Sequence, residues 1–323
     1  MTLFEQLKMI PKVDMHINLT SSISTNLAFD LSDDTNILDV EEIMREKNIM
    51  EYEEALKMPV KILKKSSNLV LAIDDLIDKL LKNNVLYSEL FIDLPLYNVK
   101  IDEERLVELI INVIEKRDYH MNLVLVTSSK RSKEDNLKTI EIFEKYYNKG
   151  VNAIYFYKEK MANLSDYMYI FDRLNKNNYP YILNMNSKVT NNEYDVYTKA
   201  KRIIYLLPNI DEELINECHK NNIMLEFAPT RFYENNLLTS FKEYFLGELI
   251  KSNISLTITS YDMTTLNTDI LNEWCILFNN YPLVLLDMIK IIQNNLKNAN
   301  INDEIKEQLI KEFKDKSNSI LEE

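Results

Sequence analysis

Eight short strand-like segments, separated by helical patterns, constrain the fold more than any other feature of the sequence. Residues 13–19 and 86–92 alternate apolar and polar side chains with period two. Six further segments are similarly short and rich in Val, Ile, Leu, Tyr and Phe: 121–127, 153–157, 181–185, 202–207, 224–228 and 255–259. Strands that alternate with helices form a parallel sheet, and eight of them predict a (β/α)8 TIM-type barrel. A doubly wound open sheet has the same local pattern and is the alternative.

The helices of these units end in a shared way. Asparagine stands just before five of the strand segments, at residues 83–84, 148, 177–178, 221–222 and 253. A helix often ends with a residue in the left-handed conformation, which Gly adopts best and Asn next best. The chain has only two glycines, Gly150 and Gly247. Asn therefore takes over the role of Gly, and every Gly-rich phosphate-binding loop is excluded.

Two regions lie outside the simple repeat. Residues 20–85 separate the first two strand segments and contain helical patterns near 40–47, 52–65 and 72–81. We expect this insertion to lie over the carboxyl-terminal mouth of the barrel, where such folds place their sites. Three more helical patterns follow the eighth strand, near 268–278, 282–297 and 303–321. No Gly/Pro/Ser-rich linker interrupts the chain, so we expect one domain over residues 1–323.

Composition limits the partners. The 323 residues are 46% hydrophobic and carry a formal net charge of −13, which favours a large core and argues against nucleic acid as a partner. No apolar run approaches the roughly 20 residues that span a bilayer, and the first residues lack a signal-peptide pattern, so we expect no membrane partner. Cys218 and Cys275 form no disulfide framework. A reducing, cytoplasmic location is therefore predicted.

Five motifs, collinear over residues 8–275, resemble those of the adenosine deaminase family of metal-dependent hydrolases. Residues 10–19, Ile-Pro-Lys-Val-Asp-Met-His-Ile-Asn-Leu, are similar to its Leu-Pro-Lys-Val-Asp/Glu-Leu-His-x-His-Leu. Residues 85–90 resemble its Val-x-Tyr-x-Glu strand, and 225–230 its Glu-x-Cys-Pro-Thr/Ser. Residues 202–206 align with its Arg-Ile-Gly-His-Gly, and 256–262 with its Asn-Ser/Thr-Asp-Asp-Pro turn. The resemblance implies the barrel fold.

The resemblance also implies a catalytic metal, usually zinc, and the sequence departs from the family at that site. Family members hold the metal with two histidines from the first strand, one from the fifth and an aspartate after the eighth. These positions are His16, Asn18, Asn184 and Tyr261 here. A neutral Asn amide is a poor zinc ligand, and one imidazole does not hold the ion. We therefore expect no metal and no other cofactor, with His16 as a relic ligand.

The family's proton-transfer groups are replaced as well. Its glutamate that passes a proton to the purine corresponds to Ser187, and its histidine that orients the hydroxide corresponds to Tyr205. Serine is no general acid at neutral pH, and tyrosine, with a pKa near 10, is a poor one. Asp262 alone matches a second carboxylate of the family, and with His16 it forms the one plausible acid/base pair.

These departures predict a pseudoenzyme that binds a small purine-like ligand or a protein partner. Two alternatives remain: an active adenosine- or purine-deaminase-type hydrolase with a rebuilt site, and a structural subunit. The asparagines could line a pocket or bond one another, and the tyrosines could stack a base or fill the vacated site. The candidate ligand-binding residues are His16, Asn18, Tyr155, Asn184, Asn186, Tyr261 and Asp262.

Overall fold

Eight parallel strands form the centre of the molecule. The structure is a computed structural model and describes residues 1–32, 36–45, 52–97, 101–209, 211–234, 240–241, 245–252 and 254–321. The strands pair in chain order from first to last, as the sequence predicts. Their bounds are β1 Lys12–Asn18, β2 Val85–Ile92, β3 Met121–Ser128, β4 Val151–Tyr157, β5 Tyr181–Met185, β6 Arg202–Tyr205, β7 Met224–Phe227 and β8 Leu256–Ile258.

The sheet curls back on itself next to Tyr261. This residue follows β8 and forms a parallel bridge with Ile17 of β1. The Tyr261 amide donates to the His16 carbonyl at 3.0 Å, and the Asn18 amide donates to the Tyr261 carbonyl at 2.9 Å. The first and last strands thus meet, and the predicted (β/α)8 barrel is confirmed.

The asparagines at the helix exits have the predicted left-handed backbone. Asn84, Asn148, Asn178 and Asn222 have φ values of 56°, 60°, 54° and 53°. Gly150, two residues after Asn148, has a φ of 97°. The fifth predicted position, Asn253, lies outside the described residues. Each of the four turns ends a helix immediately before a strand, which is why the strands begin within two residues of the predicted positions.

Helices surround the strands. In the described residues they are α1 Leu3–Met9, α2 Thr25–Leu31, α3 Ile37–Met44, α4 Tyr52–Ala55, α5 Lys57–Leu63, α6 Ser66–Lys82, α7 Leu94–Tyr97, α8 Glu103–Lys116, α9 Lys133–Tyr146, α10 Met168–Lys176, α11 Tyr194–Tyr197, α12 Glu212–Lys220, α13 Pro229–Glu234, α14 Leu246–Lys251, α15 Ile270–Asn280, α16 Leu285–Asn298 and α17 Asp303–Leu321, with a 3-10 turn at Leu164–Tyr167. The predicted helical insertion is α2 to α6, and the predicted C-terminal helices are α15 to α17. The end of the predicted 40–47 pattern lies outside the described residues. None of the helices described here is long and apolar enough to cross a membrane.

The hydrophobic core has two parts. The larger part lies between the strands and the surrounding helices. The smaller part fills the barrel interior and consists of Phe91, Val124, Val126, Ala153, Tyr155, Ile182, Ile204, Ala228 and Tyr261. Because side chains alternate along a strand, Ile204 in the interior places its neighbours Ile203 and Tyr205 on the helix side. This alternation decides which candidate residues reach the mouth.

Candidate functional site

His16 lies near the carboxyl end of β1 and is fully buried between aromatic rings. Its imidazole stacks on Phe91 with ring centroids 3.5 Å apart and planes 6° apart. The Tyr261 ring lies on it at 4.0 Å between centroids. Tyr155 meets both His16 and Phe91 edge-on. Both faces of the imidazole are therefore covered by side chains of the barrel interior.

Both nitrogens of His16 face oxygen atoms. Nδ1 lies 2.5 Å from Oε1 of Glu226, and neither side chain is exposed. Nε2 lies 3.3 Å from Oδ1 of Asn18. Neither nitrogen presents a free lone pair to the mouth.

The Asp262 carboxylate is fully buried and contacts four side chains. Asn18 donates its Nδ2 to Oδ1 at 2.7 Å, and Ser21 donates its hydroxyl to the same oxygen. The Tyr52 hydroxyl of α4 also reaches Oδ1, at 3.2 Å, so the insertion covers the mouth here as predicted. Arg231 of α13 forms an ion pair with Oδ2. Asp262 and His16 are thus joined through the Asn18 amide, not by a direct bond.

Arg231 and Tyr261 cover the mouth together. The guanidinium carbon of Arg231 lies 4.3 Å from the centre of the Tyr261 ring, within cation–π distance. Burial raises the pKa of the Tyr261 hydroxyl, so it stays protonated at neutral pH. The position equivalent to a metal-binding aspartate therefore holds a neutral, buried phenol.

The Asn184 amide bonds to the main chain. Its Oδ1 accepts from the Lys158 amide at 2.6 Å, and its Nδ2 donates to the Lys158 carbonyl at 2.8 Å. Asn186 donates its Nδ2 to the same carbonyl at 2.9 Å. Among the described residues nothing bonds the buried Asn186 Oδ1. Asn184 thus holds the end of β4 against β5, and Asn186 retains one unpaired acceptor.

Lys158 is a buried cation beside Ser187. Its Nζ lies 3.3 Å from the Ser187 hydroxyl and 3.4 Å from Oε1 of Glu193, and the Lys158 side chain is 3% exposed. The Glu193 carboxylate neutralises the ammonium, so Lys158 is not arranged as a base for Ser187. The ammonium donates a hydrogen bond to the Ser187 hydroxyl.

Tyr205 lies apart from the other candidates. Its ring packs on the helix side against Phe227 and Phe245. Its hydroxyl donates to the Asn209 carbonyl at 2.8 Å and accepts from the Asp211 amide at 2.8 Å, close to the start of α12. The structure brings His16, Asn18, Tyr155, Tyr261 and Asp262 together at the mouth, with Asn184, Asn186 and Ser187 around Lys158, and leaves Tyr205 outside.

Comparison with known proteins agrees with the fold. Residues 11–316 match the family model for adenosine deaminase. The chain belongs to the adenosine deaminase family. An adenosine deaminase of Clostridium kluyveri is 22% identical over 97% of this chain and 96% of its own length. One of Plasmodium gallinaceum is 28% identical over 67% and 62%. The solved structure of Arabidopsis ADAL complexed with IMP superposes with a TM-score of 0.85 at 16% identity, covering 98% of this chain and 99% of that one.

The four positions that the sequence resemblance aligns with zinc ligands do not fit the ion. Both His16 nitrogens and both polar atoms of the Asn184 amide have hydrogen-bond partners. The Asn18 amide contacts His16 through Oδ1 and Asp262 through Nδ2, and Tyr261 is a neutral phenol. Zinc binds thiolates, neutral imidazoles and carboxylates in roughly tetrahedral sets. Within the described ranges, no three His, Cys, Asp or Glu side chains form a group that could hold a metal.

Sequence reasoning missed three largely buried charged residues: Lys158 and Arg231 at the mouth, and Arg202 in the barrel interior at the start of β6. Lys158, Arg231 and Arg202 are each buried or nearly so, and each pairs with a carboxylate. Lys158 and Arg202 stand at the end and start of apolar strands, where a charged side chain is uncommon and needs a partner. That unusual position was the signal that could have identified them.

Proposed function

We propose that this member of the adenosine deaminase family has no zinc-dependent deaminase activity and functions by binding, with a purine-like small molecule as its first candidate ligand and a protein as the other. The observation that carries the proposal is the hydrogen bonding of His16, Asn18 and Asn184. Their polar atoms are already paired with protein groups at 2.5–3.3 Å. A metal at the mouth would have to break several of these bonds. Among the described residues, the nearby Glu226 carboxylate is already paired with His16, and the Asp262 carboxylate with Asn18 and Arg231.

The proton-transfer positions support the same proposal. Ser187 hydrogen-bonds the Lys158 ammonium, and a serine hydroxyl does not donate a proton at neutral pH. Tyr205 points to the helix side, and its hydroxyl bonds the main chain at both Asn209 and Asp211. Deamination needs both an activated water and a proton donor to the ring, and these residues provide neither.

Asn186 supports binding of a ligand at the mouth. It is half-buried, and its Oδ1 has no partner among the described residues. A buried acceptor without a partner is costly, so a ligand that donates an N–H, as purines do, would be favoured if the half-buried side chain turned this oxygen toward it. The neighbouring Tyr155 and the half-buried Tyr157 offer rings at the same edge of the barrel.

Metal content and turnover test the loss of activity. The purified protein should contain less than about 0.1 zinc per chain. Chelation should not change its melting temperature, and adenosine should not be converted. Stoichiometric zinc together with chelator-sensitive conversion of adenosine would overturn the proposal.

A thermal-shift screen with purine nucleosides tests binding at the mouth. A nucleoside at 100 times its Kd should add about 2.7 kcal/mol to stability. Asn186→Ala removes one hydrogen bond and should lower that shift by about 0.4–1.3 kcal/mol, the effect of a 2- to 10-fold weaker Kd, whereas Asn177→Ala, an exposed amide at the end of α10, should leave it unchanged. An unchanged shift in Asn186→Ala would exclude Asn186 as the contact, and the absence of any shift with the unmodified protein leaves a protein partner as the occupant to test.

A further inference from the structure

A cavity of about 510 Å³ lies at the opposite end of the barrel from His16 and Asp262. Its walls include the amino-terminal parts of three strands, with Tyr87 of β2, Asn122 of β3 and Asn152 of β4. The connection between α16 and α17 covers it, and Asn300 in that connection donates its Nδ2 to the Asn152 carbonyl at 2.6 Å. The volume falls within the range of small-molecule sites.

The wall offers hydrogen bonds and flat surfaces together. Five asparagines line the cavity: Asn122, Asn148, Asn152, Asn300 and Asn302. Four rings line it as well: Tyr87, Tyr119, His120 and Tyr147. Amide side chains present a donor and an acceptor side by side, and aromatic rings stack on planar molecules. This combination fits a planar ligand with adjacent donor and acceptor groups.

Asn152 has an unpaired acceptor on this wall. The residue is 2% exposed, and its Nδ2 donates to the Tyr87 hydroxyl at 3.1 Å and to Glu89 at 2.8 Å. Its Oδ1 has no partner among the described residues. A buried amide oxygen that is left unpaired costs free energy, and a donor from an occupant would recover it if the Asn152 side chain turned this oxygen into the cavity.

The charges of the wall exclude anions. Glu115 and Asp303 are the charged side chains that line the described cavity, and no Lys or Arg lines it there. A phosphate or carboxylate would lie beside two acids with no cation to compensate them. The occupant is therefore not an anion.

We propose that this cavity is a second binding site that takes a small, planar heterocycle with an amide-like edge and no negative charge. The site is separate from the mouth, because it is built on the amino-terminal ends of the strands, where barrels of this kind are not expected to hold their catalytic groups. It stands independently of whether the mouth binds a nucleoside or has any activity.

Two probes of similar size and different charge test the ligand class. Uracil and orotate share one ring and one lactam edge and differ in a carboxylate. At about ten times its Kd, uracil should raise the melting temperature by about 2 °C. Orotate should give no shift. Equal binding of orotate, or no shift with uracil, would overturn the proposal.

Two substitutions test the location. Asn122→Trp places a large ring in the cavity from a half-buried position and should weaken uracil binding at least about tenfold. Asn177→Trp makes the same exchange on the exposed end of α10 and should leave the Kd unchanged. If Asn122→Trp does not fold, Asn122→Ala removes one amide and should weaken binding by about 2- to 10-fold. Loss of uracil binding in Asn186→Ala, with Asn122→Trp unaffected, would place the ligand at the mouth and refute the second site.

Discussion

The His16 imidazole and the Glu226 carboxylate face each other at 2.5 Å with no solvent exposure on either side. Glu226 also pairs with Arg202, whose Nε lies 2.9 Å from its Oε2. Arg202 in turn donates Nη2 to Glu89 at 2.8 Å. Acids and nitrogen bases thus alternate across the barrel interior, from β1 through β7 and β6 to β2. A buried set of this kind is stable only when every member is paired.

We expect Glu226→Gln to destabilise the protein strongly. The exchange keeps the size of the side chain but removes the charge that faces both His16 and Arg202. Breaking a buried ion pair by removing one partner costs about 3–5 kcal/mol. Urea unfolding would measure the loss, and Glu213→Gln on the exposed side of α12 is the matched control. A loss below about 1 kcal/mol would contradict the importance of the network.

Asp14 should make a contribution to stability that falls as the pH rises from about 4 to 7. Burial raises the pKa of this carboxyl from 3.8 to about 7, despite hydrogen bonds from Ser260. Between those values the folded protein binds more protons than the unfolded chain, so its contribution to stability is present at low pH and is lost as the pH approaches 7. Burial raises the pKa of Glu273 to about 7 as well, with the same sign.

Asp14→Asn should therefore flatten the pH dependence. One proton contributes at most about 1.4 kcal/mol per pH unit to the slope of the free energy of unfolding against pH. The Asp14→Asn variant should lack this contribution between pH 4 and 7. Unfolding free energies at several pH values would measure it. Asp102→Asn, at the exposed start of α8, controls for the change in net charge. An unchanged slope in Asp14→Asn would show that Asp14 has an ordinary pKa.

Tyr261 fills the mouth, and its backbone is strained at the same time. The side chain is 5% exposed, and its φ of 61° lies in the left-handed region. Tyr261→Ala should cost about 3–5 kcal/mol through loss of the ring. Tyr261→Gly should cost about 1 kcal/mol less than the Ala variant, because Gly adopts this backbone without strain.

Tyr155 is the control for that comparison. It lies in the same interior cluster but within β4, where Gly is less stable than Ala by about 0.5–1 kcal/mol. The order of the Ala and Gly variants should therefore reverse between the two positions. The same order at both would mean that the Tyr261 backbone is not strained. If Tyr261→Ala weakened ligand binding with little effect on stability, the ring would instead be part of a ligand platform.

The barrel could be predicted from the sequence because its signals are local. Strand alternation and Asn at the helix exits depend on neighbouring residues, and the left-handed φ at Asn84, Asn148, Asn178 and Asn222 follows from them. The mouth could not be predicted in the same way. The bond between the Asn184 side chain and the Lys158 backbone joins residues 26 positions apart. The outward direction of Tyr205 depends on which face of β6 meets the interior, and alternation alone does not fix that face.

Restoring the zinc ligands should restore metal binding only in part. The variant with Asn18→His, Asn184→His and Tyr261→Asp has the family's ligand types beside His16. The Glu226 carboxylate already orients the His16 ring, as acids do behind metal-binding histidines. However, the Asn184 amide now holds the end of β4, and a histidine there loses both bonds to Lys158. We expect zinc to bind weakly, measured by competition with a chromogenic chelator.

Deamination should remain absent even when Ser187→Glu and Tyr205→His are added. A glutamate at position 187 would lie beside the Lys158 ammonium, which would hold it ionised and unable to donate a proton. A histidine at position 205 would lie on the helix side of β6, where the Tyr205 hydroxyl now bonds the main chain of Asn209 and Asp211.

The test is conversion of adenosine by the unmodified protein, the triple variant and the fivefold variant, each with and without zinc. Catalytic groups that act as a unit give little until the last one is correctly placed, and positions 187 and 205 do not place theirs, so all three proteins should be inactive. Zinc-dependent conversion by the fivefold variant would show that the mouth can reorganise around the ion. Conversion by the unmodified protein would show that residues assigned here to hydrogen bonding perform the chemistry.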